Sequence, residues 1–156
     1  MITDTGPYIT TLKALEQAEL AMGELYSVCA GIFPHQAEFW NDIAAQEMSH
    51  ASAVREMLRI FQEHPNEFRP GKPFSVIAIN TCIRGIKEYT EQVKTGQIDA
   101  KRIFYIAADL EKSLFERDFY RFLDSDNLQF YNIVTQMLRE IKTHAELMSS
   151  TINLNK

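Results

Sequence analysis

Several features that define other protein classes are scarce in this chain. Only two of its 156 residues are cysteines, Cys29 and Cys82, and they form no Cys-x-x-Cys pair. Neither a disulfide framework nor a cysteine-based zinc or iron site is therefore expected. Glycine is sparse, at six residues, and no Gly-x-Gly-x-x-Gly or Gly-Lys-Ser/Thr pattern occurs. A phosphate-cradling loop is not expected either. No apolar run approaches the ~20 residues that a bilayer-spanning helix needs. The opening "MITDTGPY" has an acid and no cationic start ahead of an apolar stretch, unlike a secretory signal, so a cytoplasmic location is the expectation. Lys and Arg number 16 against 21 Asp and Glu, for a net charge of −5, and the cations are scattered. Nucleic-acid binding needs a basic face, and this chain has no sequence sign of one.

What the chain does have is helical periodicity along most of its length. With 46% hydrophobic and 24% charged residues, it has the composition of a globular protein. Its length suits one domain, over residues 1–156. The spacing predicts helices over about 7–32, 34–63, 74–95, 100–123 and 127–152. Pro7 suits a first helical turn, and "GIFPH" at 31–35 makes a tight break. "HPNEFRPGKP" at 64–73, with three prolines and a glycine, is the one clear linker. Asp99 and the "DSDN" of 124–127 are capping signals. "FSVIAI" could be a strand but flows into a helical pattern. The order is two long helices, a linker with a shorter helix, then two more long helices. That predicts an all-α, ferritin-like antiparallel four-helix bundle, built of two hairpins joined by a long crossover containing the short helix.

The informative residues are ionisable ones on the apolar stripes. Glu19 lies seven after Leu12, three before Met22 and seven before Tyr26. Glu47 and His50 share a stripe with Ile43, Ala44, Ala51 and Val54. Glu111 follows Ala107 and Leu110, while Glu116 is expected to face water beside Lys112. His144 lies seven after Met137 and four before Met148, with Glu140 four before it. Glu16 falls at the edge of the first stripe and Glu24 off it. His35 and His64 fall at helix ends and read as surface residues. The methionines read as packing, and the two cysteines as inert buried thiols.

Helical hairpins put residues equidistant from the turn at one height. Glu19 and Glu47 are symmetric about the first turn, and Glu111 and Glu140 about the second. A histidine follows about one turn further along the second helix of each hairpin. Glu19, Glu47, His50, Glu111, Glu140 and His144 thus make the ligand count of a dinuclear carboxylate site. Carboxylates with two imidazoles suit two iron ions, or manganese. Buried carboxylates without a counter-charge would be neutralised or would destabilise the fold.

The motifs resemble the rubrerythrin-like branch of the ferritin-like superfamily. "AELAMGELYSVCA" (18–30) is similar to its first helix, "QEMSHA" to its Glu-x-x-His-Ala, "AADLEKSLFERDFY" to its third bundle helix and "REIKTHAEL" to its fourth. The resemblance implies a peroxide- or dioxygen-reducing oxidoreductase. It implies Glu47, a bridging carboxylate, and Tyr26, a tyrosine behind the ligands, as the catalytic candidates. Two departures stand out. Ile141, not a glutamate, lies three before His144, so Glu140 either reaches the metal, as through a π-bulge, or is no ligand and one metal is held. No rubredoxin-like Cys-x-x-Cys pairs occur either, which implies an external electron donor protein. A homodimer is expected. The alternative is a non-enzymatic metal-binding or degenerate-site bundle with a storage, sensing or structural role.

Overall fold

Helix boundaries follow the stop and start residues closely. In the computed structural model, which describes residues 2–117 and 119–154 and no side chains at 114–117, five helices make up most of the chain. They are α1 (Gly6–Ile32), α2 (Ala37–Glu63), α3 (Val76–Lys94), α4 (Arg102–Arg117) and α5 (Leu128–Leu154). The side chain of Glu116 lies outside the described residues. Pro7 sits in the first turn of α1, and a short 3₁₀ turn, Pro34–Gln36, separates α1 from α2. Ser75 Oγ accepts the Ala78 amide 3.2 Å away at the start of α3. Gly96, at φ +77°, ends that helix in the left-handed region, where glycine has no Cβ to strain. Asp99 Oδ1 accepts from the Arg102 amide at 2.7 Å, and Asn127 Oδ1 from the Phe130 amide at 2.9 Å. Each side-chain cap satisfies an amide that the first helical turn leaves free.

α1 lies along α2 and also packs on α3, α4 pairs with α5, and α2 meets α5. Two aromatic layers mark the ends of the shared interior. Tyr26, Phe39, Trp40 and Phe104 stack at one end, with Tyr26 and Trp40 ring centres 5.4 Å apart. Tyr8, Phe61, Phe68, Phe74, Phe122 and Phe130 interlock at the other. Along both α1 and α2 the inward-facing polar residues fall between these layers.

Helix α4 ends earlier than the spacing predicts, at Arg117 rather than near 123. After a 3₁₀ turn, Phe119–Arg121, the chain becomes the strand β2 (Leu123–Ser125), antiparallel to β1 (Phe68–Pro70) in the linker. Phe68 faces Ser125, Arg69 faces Asp124 and Pro70 faces Leu123. Two further bonds extend the ladder, Gly71 N to Phe122 O at 2.8 Å and Lys72 N to Arg121 O at 2.9 Å. A Cβ on Gly71 would fall 2.3 Å from the Arg121 carbonyl oxygen, so the close approach needs glycine. The run Phe119, Tyr120, Phe122 and Leu123 is buried almost continuously, which one helix face cannot achieve. "FSVIAI", by contrast, forms no strand: 76–79 open α3.

Candidate metal centre

Because each helix buries its apolar stripe, it carries inward the polar residues on that stripe. Glu19 from α1, Glu47 and His50 from α2, Glu111 from α4 and His144 from α5 converge, none more than 2% exposed. His50 Nδ1 lies 3.6 Å from Glu19 Oε2 and 3.5 Å from Glu47 Oε2. His144 Nδ1 lies 3.1 Å from Glu47 Oε1 and 3.7 Å from Glu111 Oε1. Two groups result, Glu19–Glu47–His50 and Glu47–Glu111–His144, each with its candidate ligand atoms within 4.8 Å of one another. Glu47 belongs to both. The histidine rings run nearly parallel, with centres 5.5 Å apart.

Each outer carboxylate is held by a buried phenol. Tyr26 donates its hydroxyl to Glu111 Oε1 at 2.8 Å, and Tyr120 donates to Glu19 Oε1. Both phenols are pushed well above their ordinary range, first by burial and then by the carboxylates beside them, so they stay protonated as donors.

Glu140 stands elsewhere. Its side chain is 38% exposed, and its Oε2 lies 2.5 Å from His50 Nε2, on the side of the ring away from the inner carboxylates. Gln136 donates to its other oxygen at 2.7 Å. Gln46 Oε1 bonds His144 Nε2 in the same way. Gln46 and Glu140 each lie four before a histidine on their own helix and contact the histidine of the other helix. The residues that match Glu47 and Glu140 in position are therefore Ile141 and Gln46 respectively. Ile141 is buried at 1% exposure. α5 is an unbroken α-helix over Leu128–Leu154, so a π-bulge does not bring Glu140 inward. One position along a helix is a turn of ~100° about its axis, enough to move Glu140 off the inner face.

The electrostatics are those of a proton-loaded cluster. Burial works against a charged His50, but the Glu19 and Glu47 carboxylates beside it outweigh burial and push it up to about 11. The same contest, with Glu111 and Glu47 as partners, leaves His144 at about 9. Burial raises the Glu47 carboxyl well above its usual range, reinforced by the charges of Glu111 and Glu19. Burial also opposes ionisation of Glu19, but contacts with Glu47, His50 and Tyr120 hold its carboxyl below the usual range.

A test of whether a cation fits comes from unsatisfied atoms. Among the described residues, two buried side-chain polar atoms lack a hydrogen-bond partner, Glu19 Oε2 and His50 Nδ1. Such an atom costs about 1–3 kcal/mol, yet these two face each other in one candidate group. A divalent cation accepting both would remove that cost, and carboxylate oxygens with imidazole nitrogens suit iron and manganese. The donor set fits a metal.

The remaining residues fall as the spacing predicts, with one exception. Glu16 is half-buried and pairs with Arg55 at 3.0 Å, Glu24 is exposed, and His35 and His64 are exposed at helix ends. Cys29 is buried as expected, but Cys82 is only half-buried, a departure from the expectation of two buried thiols. Two functional candidates escape the sequence reading, Tyr120 and Gln46. Tyr120 lies beyond the end of α4, where helical spacing no longer says which way a side chain points. Gln46 could have been found, because it stands to His50 as Glu140 stands to His144. No family model, curated protein or solved structure matches the chain, so its chemistry is read from its own residues.

Proposed function

We propose that this chain is a ferritin-like four-helix bundle of the rubrerythrin-like kind. It holds a dinuclear iron or manganese centre and acts as an oxidoreductase on peroxide or dioxygen. The observation that carries this reading is the convergence of three carboxylates and two imidazoles from four helices, with Glu19 Oε2 and His50 Nδ1 left without a hydrogen bond. Glu47 serves both ions, Glu19 and His50 complete one set, and Glu111 and His144 complete the other. Metal bound there would supply the redox change that reduction of an oxygen–oxygen bond needs. Tyr26 and Tyr120 fix the outer carboxylates by donating to one oxygen of each. Tyr26 also keeps a proton beside the centre. The aromatic layers close both ends of the interior around the cluster. A cavity of about 540 Å³ between α2 and α5 is lined by both His50 and Glu140 and reaches the outer side of the cluster.

Electrons come from an external donor in this reading. Burial pushes the Cys29 thiol up to about 12, which keeps it unreactive. The chain acts as a homodimer.

The deciding experiment is metal analysis and an optical spectrum of protein purified with added iron. The reading expects two equivalents of metal and absorption from an oxygen-bridged pair. Less than half an equivalent, without that absorption, sinks it. One observation favours a second reading, a non-enzymatic or decayed metal site: buried, apolar Ile141 stands where a fourth carboxylate would match Glu47. Gel filtration separates its storage version, because storage needs a large closed shell rather than a dimer.

A further inference from the structure

The two halves of the cluster differ in ways that bear on how they would fill. We infer that the centre is ordered: the Glu19–Glu47–His50 set takes the first divalent cation, and the Glu47–Glu111–His144 set takes the second more weakly. The inference rests on the metal-centre reading above and adds to it an inequality between the two sets.

Two observations point the same way, and a charge count follows from the first. The first is the group behind each imidazole. With a cation on Nδ1, the ring carries its proton on Nε2 and donates it outward. His50 then donates to a carboxylate, Glu140 Oε2, 2.5 Å away. His144 donates to an amide, Gln46 Oε1. A charged acceptor makes the imidazole a stronger ligand and fixes its ring more firmly. The Gln136 amide, 2.7 Å from the other Glu140 oxygen, holds that carboxylate in place.

The second is hydrogen bonding inside the sets. Among the described residues, the two buried side-chain polar atoms without a hydrogen bond, Glu19 Oε2 and His50 Nδ1, belong to the first set. A cation there breaks no hydrogen bond at either atom. In the second set, His144 Nδ1 and Glu47 Oε1 already lie in contact at 3.1 Å, and that contact must open before a cation can enter.

The charge count repeats the difference behind the imidazoles. The first set has Glu19 and Glu47 as ligands and Glu140 directly behind His50. The second has Glu47 and Glu111 with a neutral Gln46 behind His144. Ile141 provides no charge to either. Once one cation has taken Glu47, the second meets a single unshared carboxylate.

The test is a titration of metal-free protein with manganese(II), counting free ion by its electron paramagnetic resonance signal. Crystals soaked at one equivalent locate the ion by anomalous scattering. The expected result is a first equivalent bound at least ~10-fold more tightly than the second, with its peak beside Glu19 and His50. Glu140→Gln weakens the first step by ~10-fold or more and narrows the gap, while Gln46→Glu tightens the second step. Glu140 is half-exposed and Gln46 exposed, so neither change empties the core, and circular dichroism checks that both variants fold. Two equal steps, a one-equivalent peak beside His144, or a Glu140→Gln protein that titrates like the parent would each overturn the inference while leaving the metal centre standing. A protein that binds neither ion overturns the metal-centre reading, and the inference with it.

Discussion

Replacing Glu47 by glutamine probes the centre at its most shared residue. Glu47 lies 3.1 Å from His144 and 3.5 Å from His50 and contributes to both candidate groups. Without metal, burial and the neighbouring carboxylates raise its carboxyl well above the usual range. The metal-free site thus opposes ionisation of this carboxyl, and an uncharged amide of the same shape replaces it with little loss. The metal-free variant should melt within about 1 kcal/mol of the parent, the scale of one hydrogen bond. In the proposed two-metal centre the balance changes, because both ions would depend on an ionised Glu47. An ion present at 100 times its dissociation constant stabilises the fold by about 2.7 kcal/mol. For a chain of this size each kcal/mol moves the melting temperature by about 2–4 °C. Each bound ion is therefore worth about 5–11 °C in the parent, and less than about 2 °C should survive in Glu47→Gln. Thermal melts followed by circular dichroism, with chelator and then with excess manganese(II) or iron(II), read both quantities. A variant that keeps the full metal-dependent rise would falsify the shared-ligand role of Glu47. A metal-free variant that melts more than ~10 °C lower would show that its charge, not its place in a metal site, holds the fold.

The same geometry makes four further predictions. His50 and His144 have folded values of about 11 and about 9 against an ordinary value near 6.5, and Glu47 is raised as well. The folded metal-free protein therefore binds more protons than the unfolded chain. The histidines' share of its stability is fully present below about pH 6.5 and is lost as pH rises through about 9 and then about 11. Metal-free melts at pH 6.5 and pH 9.5 should show the lower melting temperature at pH 9.5, and the opposite order contradicts the proton-loaded cluster. Metal competes with the same protons, so its affinity should rise over that interval. Tyr26→Phe removes the donor 2.8 Å from Glu111 and should cost about 1–3 kcal/mol in the metal-free protein; a loss below a few tenths in a denaturant melt refutes that role. Ile141→Glu puts a carboxylate at a position with 1% exposure, matching Glu47 on the other helix. It should lower metal-free stability by several kcal/mol and enlarge the metal-dependent rise, whereas a metal response equal to the parent's would show that position 141 does not face the centre.

How much of this is legible in the sequence depends on distance along the chain. Helical stripes and capping residues are local, so the five helices, the linker and the inward faces of Glu19, Glu47, His50, Glu111 and His144 follow from spacing alone. At one position the spacing misled: Glu140, four before His144, reads as inward-facing, yet the structure buries Ile141 there and leaves Glu140 at the edge of the face, ~100° round the helix. What needed the tertiary structure is every relation between segments far apart in sequence. The β1–β2 ribbon pairs residues about fifty positions apart, and that pairing, with its buried aromatics, ends α4 early and turns Tyr120 onto Glu19. Likewise Gln46 and Glu140 find partners on the opposite helix, 98 and 90 positions away. A sequence specifies which face of a helix is buried, because that depends on residues three or four apart. Only packing decides which imidazole a given carboxylate meets, because that depends on how whole helices are set against one another.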